Sequence, residues 1–354
     1  MSKFWSEAIL SLQPYVPGEQ PKQGNIIKLN TNENPYPPSP KVVEVLTHFP
    51  KERLRLYSDP DSTQLKQTLA QHFHVDYDQV FVGNGSDEVL AHTFMAFFRQ
   101  PLPLLLPSTT YSFYDVYCDL YQIKTQHVPL TTDYRINLAD YAQPNGGIIF
   151  ANPNAPTGVA LPLTDIEALL QENTETVVVV DEAYVDFGAE SAVTLVNQYP
   201  NLLVIQTLSK SRSLAGMRVG FAIGSPELIA GLERVKNSFN SYPLDMLAIA
   251  AASAAIEDQR YFEQTTQQII ADRQWTDEQL TALGFNALPS STNFIFASHP
   301  EISGAELMTH LRSRNILVRH FTKPSIENFL RITIGTRQEM EAMISALKEH
   351  PKLA

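Results

Sequence analysis

Seven short apolar runs punctuate the first two thirds of the chain, at residues 80–82, 102–106, 123–128, 147–151, 176–180, 202–206 and 219–223. Closed by Gly, Pro, Asn or Asp, runs this short read as strands. The run at 176–180 is continuously β-branched, as in a strand covered on both faces. Helix-like stretches fall between them, at 42–49, at 63–73 behind Ser62 or Thr63, at 89–98, from 111 onward, and at 164–171 with Thr164 as cap. Strands alternating with helices predict an α/β fold around a mostly parallel sheet of seven strands.

The pattern changes near residue 240. An Ala-rich helix at 244–256 and one long helix at 261–283 precede strands at 293–297, 316–319 and 329–334, with helices at 305–314 and 337–348. That reads as a smaller α+β domain. Residues 1–40 are rich in Pro and Asn and read as irregular, because proline removes a donor and fixes φ. The expected division is an arm over 1–40 that joins the small domain, a large domain over 41–240 and a small one over 241–354.

Polar residues collect where predicted strands end. Gly85, Ser86 and Asp87 follow the first; Asn152 and Asn154 follow the fourth; Asp181 and Tyr184 follow the fifth; Thr207, Ser209 and Lys210 follow the sixth. In parallel sheets ligands bind beyond the carboxyl ends of the strands, so a common rim is expected to gather these groups. The 83–88 stretch is a Gly-rich turn opening a helix, whose free N–H groups suit a phosphate. It matches neither of the common nucleotide-binding glycine patterns.

Composition narrows the function. The 354 residues are 44% hydrophobic and 18% charged, with a net charge of −12. An acidic chain is a poor partner for nucleic acid or an anionic membrane surface. A single cysteine, Cys118, allows no intrachain disulfide and fits a reducing compartment. Residues 1–10 lack the basic start and long apolar run of a secretion signal, and no apolar run reaches membrane-spanning length. A soluble, cytoplasmic protein with no metal centre is the expectation.

Taken one by one, the rim residues have ordinary alternatives: Lys210 in a solvated basic loop, Asp181 as a helix cap, Arg218 in a surface ion pair. Taken together they suggest chemistry. A lysine amine forms an imine with an aldehyde. An aspartate closing an apolar strand needs a cationic partner or hydrogen bonds, and a protonated pyridine nitrogen is such a partner. Tyr184 can donate to a phenolate oxygen, Tyr111 can stack on a flat ring, and Arg218, Ser209 and the helix start at Ser86 can hold a phosphate.

The motifs that carry these residues resemble those of the fold-type I aminotransferases dependent on pyridoxal 5′-phosphate, and within them the histidinol-phosphate branch. The resemblance runs over nearly the whole chain. It includes Leu29-Asn30-Thr31-Asn32-Glu33-Asn34-Pro35, Tyr57 before Ser58-Asp59-Pro60, the Gly83 to Glu88 turn, Asp181-Glu182-Ala183-Tyr184, the stretch from Thr207 to Arg218, Tyr242-Pro243-Leu244 and Leu330-Arg331-Ile332-Thr333. It implies that Lys210 is the Schiff-base lysine, that Asp181 meets the pyridine nitrogen and that Tyr184 donates to the ring hydroxyl. Tyr111 would stack on the ring; Ser86, Asp87, Ser209 and Arg218 would surround the phosphate, the first two mainly through helix-start amides; Gly85, Thr207 and Asn154 would also bind the cofactor. Tyr57 would reach the cofactor of a second subunit, making a homodimer with shared sites. Arg331, Arg319, Tyr15 and Asn32 would bind substrate, and which arginine meets a substrate phosphate stays open. One position departs from the family: Ala155 stands where an Asn commonly bonds the ring hydroxyl. The implied reaction is transamination between histidinol phosphate and 2-oxoglutarate in histidine biosynthesis. An aromatic-amino-acid aminotransferase or a decarboxylase of a phosphorylated amino acid is the alternative.

Overall fold

A computed structural model describes residues 3–10, 12–16, 18–21 and 24–353. Among the described residues there are twelve strands: β1 (Ile27–Leu29), β2 (Val80–Asn84), β3 (Leu104–Pro107), β4 (Thr125–Val128), β5 (Ile148–Ala151), β6 (Val178–Asp181), β7 (Leu202–Thr207), β8 (Val219–Gly224), β9 (Asn286–Ala287), β10 (Phe294–Ser298), β11 (Ile316–His320) and β12 (Phe329–Thr333).

They form two sheets. The larger has the order β2-β8-β7-β6-β5-β3-β4, and the smaller the order β1-β11-β12-β10-β9. The larger sheet is parallel except at β8, which runs antiparallel to both β7 and β2. An antiparallel return needs no crossover helix, so residues 208–218 stay at one edge of the sheet as a loop.

Alternate residues along each central strand enter opposite cores. Val178, Val180, Leu202, Val204, Phe221 and Ile223 pack on one face. Val179, Leu203, Ile205 and Ala222 pack on the other, with Phe81, Leu104 and Leu106. Burial on both faces is why these strands read as continuous apolar runs rather than alternating ones. The smaller sheet buries Ile295, Ala297, Leu330 and Ile332 against Leu307, Met340, Met343 and Leu347 of two helices, Gly304–Arg312 and Arg337–Lys348.

Several elements differ from expectation. The arm is not irregular throughout: β1 pairs in parallel with β11, Leu29 against Val318. Its three residues are hidden in sequence by the Asn- and Pro-rich stretch that follows. The helix Leu163–Glu172 has Pro162, not Thr164, at its N-cap, so Thr164 lies inside it. The helix after β2 begins at Gly85 rather than Val89, which puts Ser86 and Asp87 in its first turn. The helix Pro226–Phe239 is not among the expected elements. Ser225 Oγ accepts from Leu228 N and Pro226 opens the helix, a recognisable start signal.

Candidate active site

Strand register assembles the rim. Ala151 lies opposite Asp181, Asp181 opposite Ile205, Thr207 opposite Gly220, and Gly220 opposite Gly83. The carboxyl ends of β2, β5, β6 and β7 therefore meet the start of β8. A cavity of about 820 Å³ opens there, lined by Tyr15, Asn32, Ser86, Asp87, Tyr111, Asp181, Tyr184, Thr207, Ser209, Lys210, Arg218, Arg319 and Arg331 among others. Its volume is in the range of small-molecule sites. Gly85, Asn154 and Tyr57, also singled out from sequence, do not line it.

One end of the cavity is built for an anion. The helix Gly85–Phe97 starts on the rim with its N–H groups free. A Cβ on Gly220 would lie 2.2 Å from Ser86 N, so only glycine lets β8 pass this close to the helix start. Gly85 has φ +77°, and a Cβ there would stand 2.4 Å from Arg218 Nη2. Gly85 thus serves the site by leaving room for the guanidinium. Arg218 Nη2 donates to Asp87 Oδ2 at 2.9 Å, and Tyr111 OH donates to Asp87 Oδ1 at 3.3 Å. Asp87 is thereby an orienter of Arg218, with its charge turned to a cation and not to a bound anion. The Thr207 and Ser209 hydroxyls lie 3.0 Å apart beside this corner. Backbone amides, hydroxyls and one guanidinium suit a phosphate.

Asp181 closes β6 in the buried interior. Tyr114 OH donates to Oδ2 at 2.7 Å and Ala183 N to Oδ1 at 3.2 Å. Burial pushes its carboxyl up to about 6, with the two donors pulling the other way. Tyr114 is a site residue that sequence reading missed. Its only signal is a general one: a tyrosine predicted on a core-facing helix needs a partner for its hydroxyl. Behind the rim, the buried Glu182 is held by Ser191 Oγ, Ala192 N and Gln206 Nε2, which makes it a brace for the loop after β6.

Lys210 Nζ faces Thr31 O at 3.4 Å and lies 5.7 Å from the centre of the Tyr184 ring. Tyr184 OH accepts from Asn32 Nδ2 at 2.9 Å, which leaves the phenol proton free to point elsewhere. Asn32 is itself fixed: it sits at φ +57°, and Thr333 Oγ1 accepts from its N–H and donates to its Oδ1, each at 3.0 Å.

Two arginines occupy the opposite wall. Arg319 and Arg331 are register partners across β11 and β12, and both line the cavity. Like charges opposite one another destabilise a sheet, and here they make a strongly anion-attracting wall. Arg331 Nη2 donates to Asn30 O at 2.9 Å, while its Nε is buried without a partner. A guanidinium that lines a cavity with unused hydrogen-bonding capacity favours a carboxylate or phosphate. Tyr15 lies on the same side, packed on Phe113 at 4.9 Å between ring centres.

The loop after β5 explains the odd position 155. Asn154 Nδ2 donates to Thr109 O and Thr157 Oγ1, and the Asn152 amide bonds both N and O of Leu161. Both amides brace the loop, and the methyl of Ala155 lines the cavity. Tyr57 stands on the outer surface, 82% exposed, stacked on Tyr242 at 4.8 Å.

This donor set fits pyridoxal 5′-phosphate: a phosphate cradle that added Cβ atoms would fill, a buried carboxylate for a ring nitrogen and a lysine amine between them. Among the described residues there is no group of metal-ligating side chains, and no helix is long and apolar enough to cross a membrane.

Comparison with known proteins agrees. The sequence profile of aminotransferase class I and II matches residues 24–347. The chain is 58% identical over 349 residues to histidinol-phosphate aminotransferase 1 of Methylococcus capsulatus, covering 99% of this chain and 98% of that one. It is also 58% identical over 350 residues to histidinol-phosphate aminotransferase of Acinetobacter baumannii, covering 98% and 97%. The crystal structure of histidinol-phosphate aminotransferase from Sinorhizobium meliloti in complex with pyridoxal-5′-phosphate superposes with a TM-score of 0.89 at 25% identity, over 99% of this chain and 98% of that one. The chain therefore belongs to the class I and II aminotransferases, enzymes that work with pyridoxal 5′-phosphate, and within them to the histidinol-phosphate aminotransferases.

Proposed function

We propose that this chain transfers an amino group between histidinol phosphate and 2-oxoglutarate, giving imidazole acetol phosphate and glutamate, as a step of histidine biosynthesis. The observation that carries the reading is the near-full-length 58% identity to proteins of that name. The paired guanidiniums of Arg319 and Arg331 support it, since both partners of the exchange are anions.

Bound pyridoxal 5′-phosphate supplies an electron sink for the pair left behind when the substrate α-proton departs. The chain's own residues do the rest. Lys210 Nζ would hold the cofactor and would also take the substrate α-proton as base and return it as acid. Asp181 keeps a proton on the ring nitrogen. Tyr184, held by Asn32, donates to the ring hydroxyl in the place where Ala155 offers nothing. Tyr111 covers the ring face. The amides at Ser86 and Asp87, the hydroxyls of Thr207 and Ser209, and Arg218 hold the phosphate, so that Lys210 can release the cofactor without losing it. Gly85 makes room for Arg218, and Asn154 shapes the loop that presents Ala155. Arg331 grips the α-carboxylate of glutamate; with Arg319 and Tyr15 it also serves the substrate phosphate.

The substrate is tested by steady-state turnover of histidinol phosphate against phenylalanine, each with 2-oxoglutarate. Phenylalanine offers one anion, its α-carboxylate, which Arg331 can take, and leaves the half-buried Arg319 without a phosphate; losing such a charge-assisted bond costs about 1.5–3 kcal/mol, so kcat/KM should favour histidinol phosphate by about tenfold or more. A preference for phenylalanine would overturn the histidine-pathway reading.

We further infer a cytoplasmic homodimer, with the arm and large and small domains divided near residues 40 and 240. The exposed cluster of Leu54, Leu56, Tyr57 and Tyr242 supports an interface there, where Tyr57 can serve a partner's site. Equilibrium sedimentation at assay concentration should give twice the chain mass, and Tyr57→Ala should weaken cofactor binding about tenfold. A fully active monomer would refute the shared site.

A further inference from the structure

Residues 30–34 leave the edge strand β1 of the smaller sheet and cross to the β7–β8 loop of the larger one. In five residues this segment bonds three groups of the site. Asn30 O accepts from Arg331 Nη2 at 2.9 Å, Thr31 O faces Lys210 Nζ at 3.4 Å, and Asn32 Nδ2 donates to Tyr184 OH at 2.9 Å. The segment ends on Asn34, whose Nδ2 donates to Lys210 O at 3.0 Å and to Ser211 O at 3.2 Å. Tyr36 N donates to Asn34 Oδ1 at 3.0 Å, so the amide presents its N–H groups to the loop and cannot reverse without losing all three bonds.

The segment is stiff. Asn32 is fixed on Thr333, and its carbonyl accepts from Asn293 Nδ2 at 3.0 Å. Lys28, Thr31 and Glu33 bond one another, and Thr31 and Glu33 line the cavity. A lysine side chain is long and flexible, so the position of its amine depends on how firmly its own backbone is held. Here the backbone of Lys210 is tied to the same short frame that carries the acceptor for Arg331.

We propose that Asn34 is a positioning residue of the reaction: by tying the main chain of Lys210 and Ser211 to residues 30–34, it sets the distance between the Lys210 amine and an anion held on Arg331. The proposal rests on the role given to Lys210 above. A residue that merely braced a loop would affect thermal stability alone. A positioning residue lowers kcat and leaves KM nearly unchanged, because the anion sites on Arg319 and Arg331 stay in place while the amine's distance from them changes.

The test uses the holoenzyme with Asn34→Ala and Asn34→Ser. In Asn34→Ala, kcat should fall about fivefold or more with KM for both substrates changed by less than about twofold. Asn34→Ser keeps one donor and should lower kcat by less. Should Asn34→Ala fail to fold, the Ser variant decides. A kcat within twofold of wild type, or a loss carried by KM alone, whatever the melting temperature, would overturn the proposal. Borohydride reduction of the wild-type holoenzyme separates the two ideas: a label away from Lys210 removes the reading of the lysine and this proposal with it, while a label on Lys210 with unmoved Asn34 variants removes this proposal only.

Discussion

Lys210→Ala is expected to lower turnover by about ten-thousandfold or more, the scale of losing a nucleophile and a general base in one side chain. In the wild-type chain, borohydride should fix the cofactor covalently on the peptide that contains Lys210. In the variant, the cofactor should still bind through the cradle around Ser86, Ser209 and Arg218 but leave no covalent label. The other lysine that lines the cavity, Lys323, is no substitute, because its ammonium is engaged by the carbonyl of Ser108. Peptide mass mapping after reduction, together with single-turnover rates, checks both statements. A reducible adduct that persists in Lys210→Ala, or turnover within tenfold of wild type, would show that another amine does the work.

Asp181→Asn should be the next most severe change, at about a hundred- to a thousandfold in kcat, the size of losing one preorganised electrostatic group. The substitution keeps shape and removes charge. Its pH signature follows from the carboxyl's environment. Burial raises its pKa from an ordinary 3.8 to about 6, so without a cationic partner the folded chain binds this proton more tightly than the unfolded chain. That penalty on the ionised group is fully present above about 6, and it is lost as pH falls from 6 towards 3.8. A protonated ring nitrogen relieves the penalty only when Asp181 is ionised. Cofactor affinity should therefore be highest above pH 6 and weaken below it. Asp181→Asn should bind more weakly at neutral pH and show little of this dependence. Fluorescence titration of the apoprotein between pH 5 and 8 measures both; an unchanged slope in the variant would assign the dependence to another group.

Asp181 could be found in the sequence because it closes an apolar strand, and Lys210 because it sits in the short loop that follows another. A polar group in that position has few roles open to it. The turn at residues 83–88 was legible for a similar reason, since glycines next to a helix start point to a close approach. The structure identifies what approaches: Ser86 N against Gly220, and the Arg218 guanidinium against Gly85.

Other parts of the site had no comparable local sign. Asn152, Asn154 and Ala155 form one motif, yet the two amides turn into the loop and the methyl faces the cavity. Side-chain direction in an irregular loop depends on which backbone groups need partners, and that is a property of the folded loop. Tyr114 and Asn34 act through contacts with residues 67 and 176 positions away. β1 is three residues long and gains its ladder only from β11, far along the chain.

The amino-acid sequence alone thus determined most of the strands and helices, though not β1 or the helix Pro226–Phe239, together with the larger sheet and the residues that cluster at its rim, because those depend on periodicity and on what a strand end can tolerate. Tertiary structure decided which rim groups touch. It set Arg319 beside Arg331 through antiparallel register, turned Asp87 onto Arg218, and carried residues 30–34 across to Lys210. Those relations join elements distant in sequence, and their energy exists only when both partners are desolvated and brought within hydrogen-bond distance.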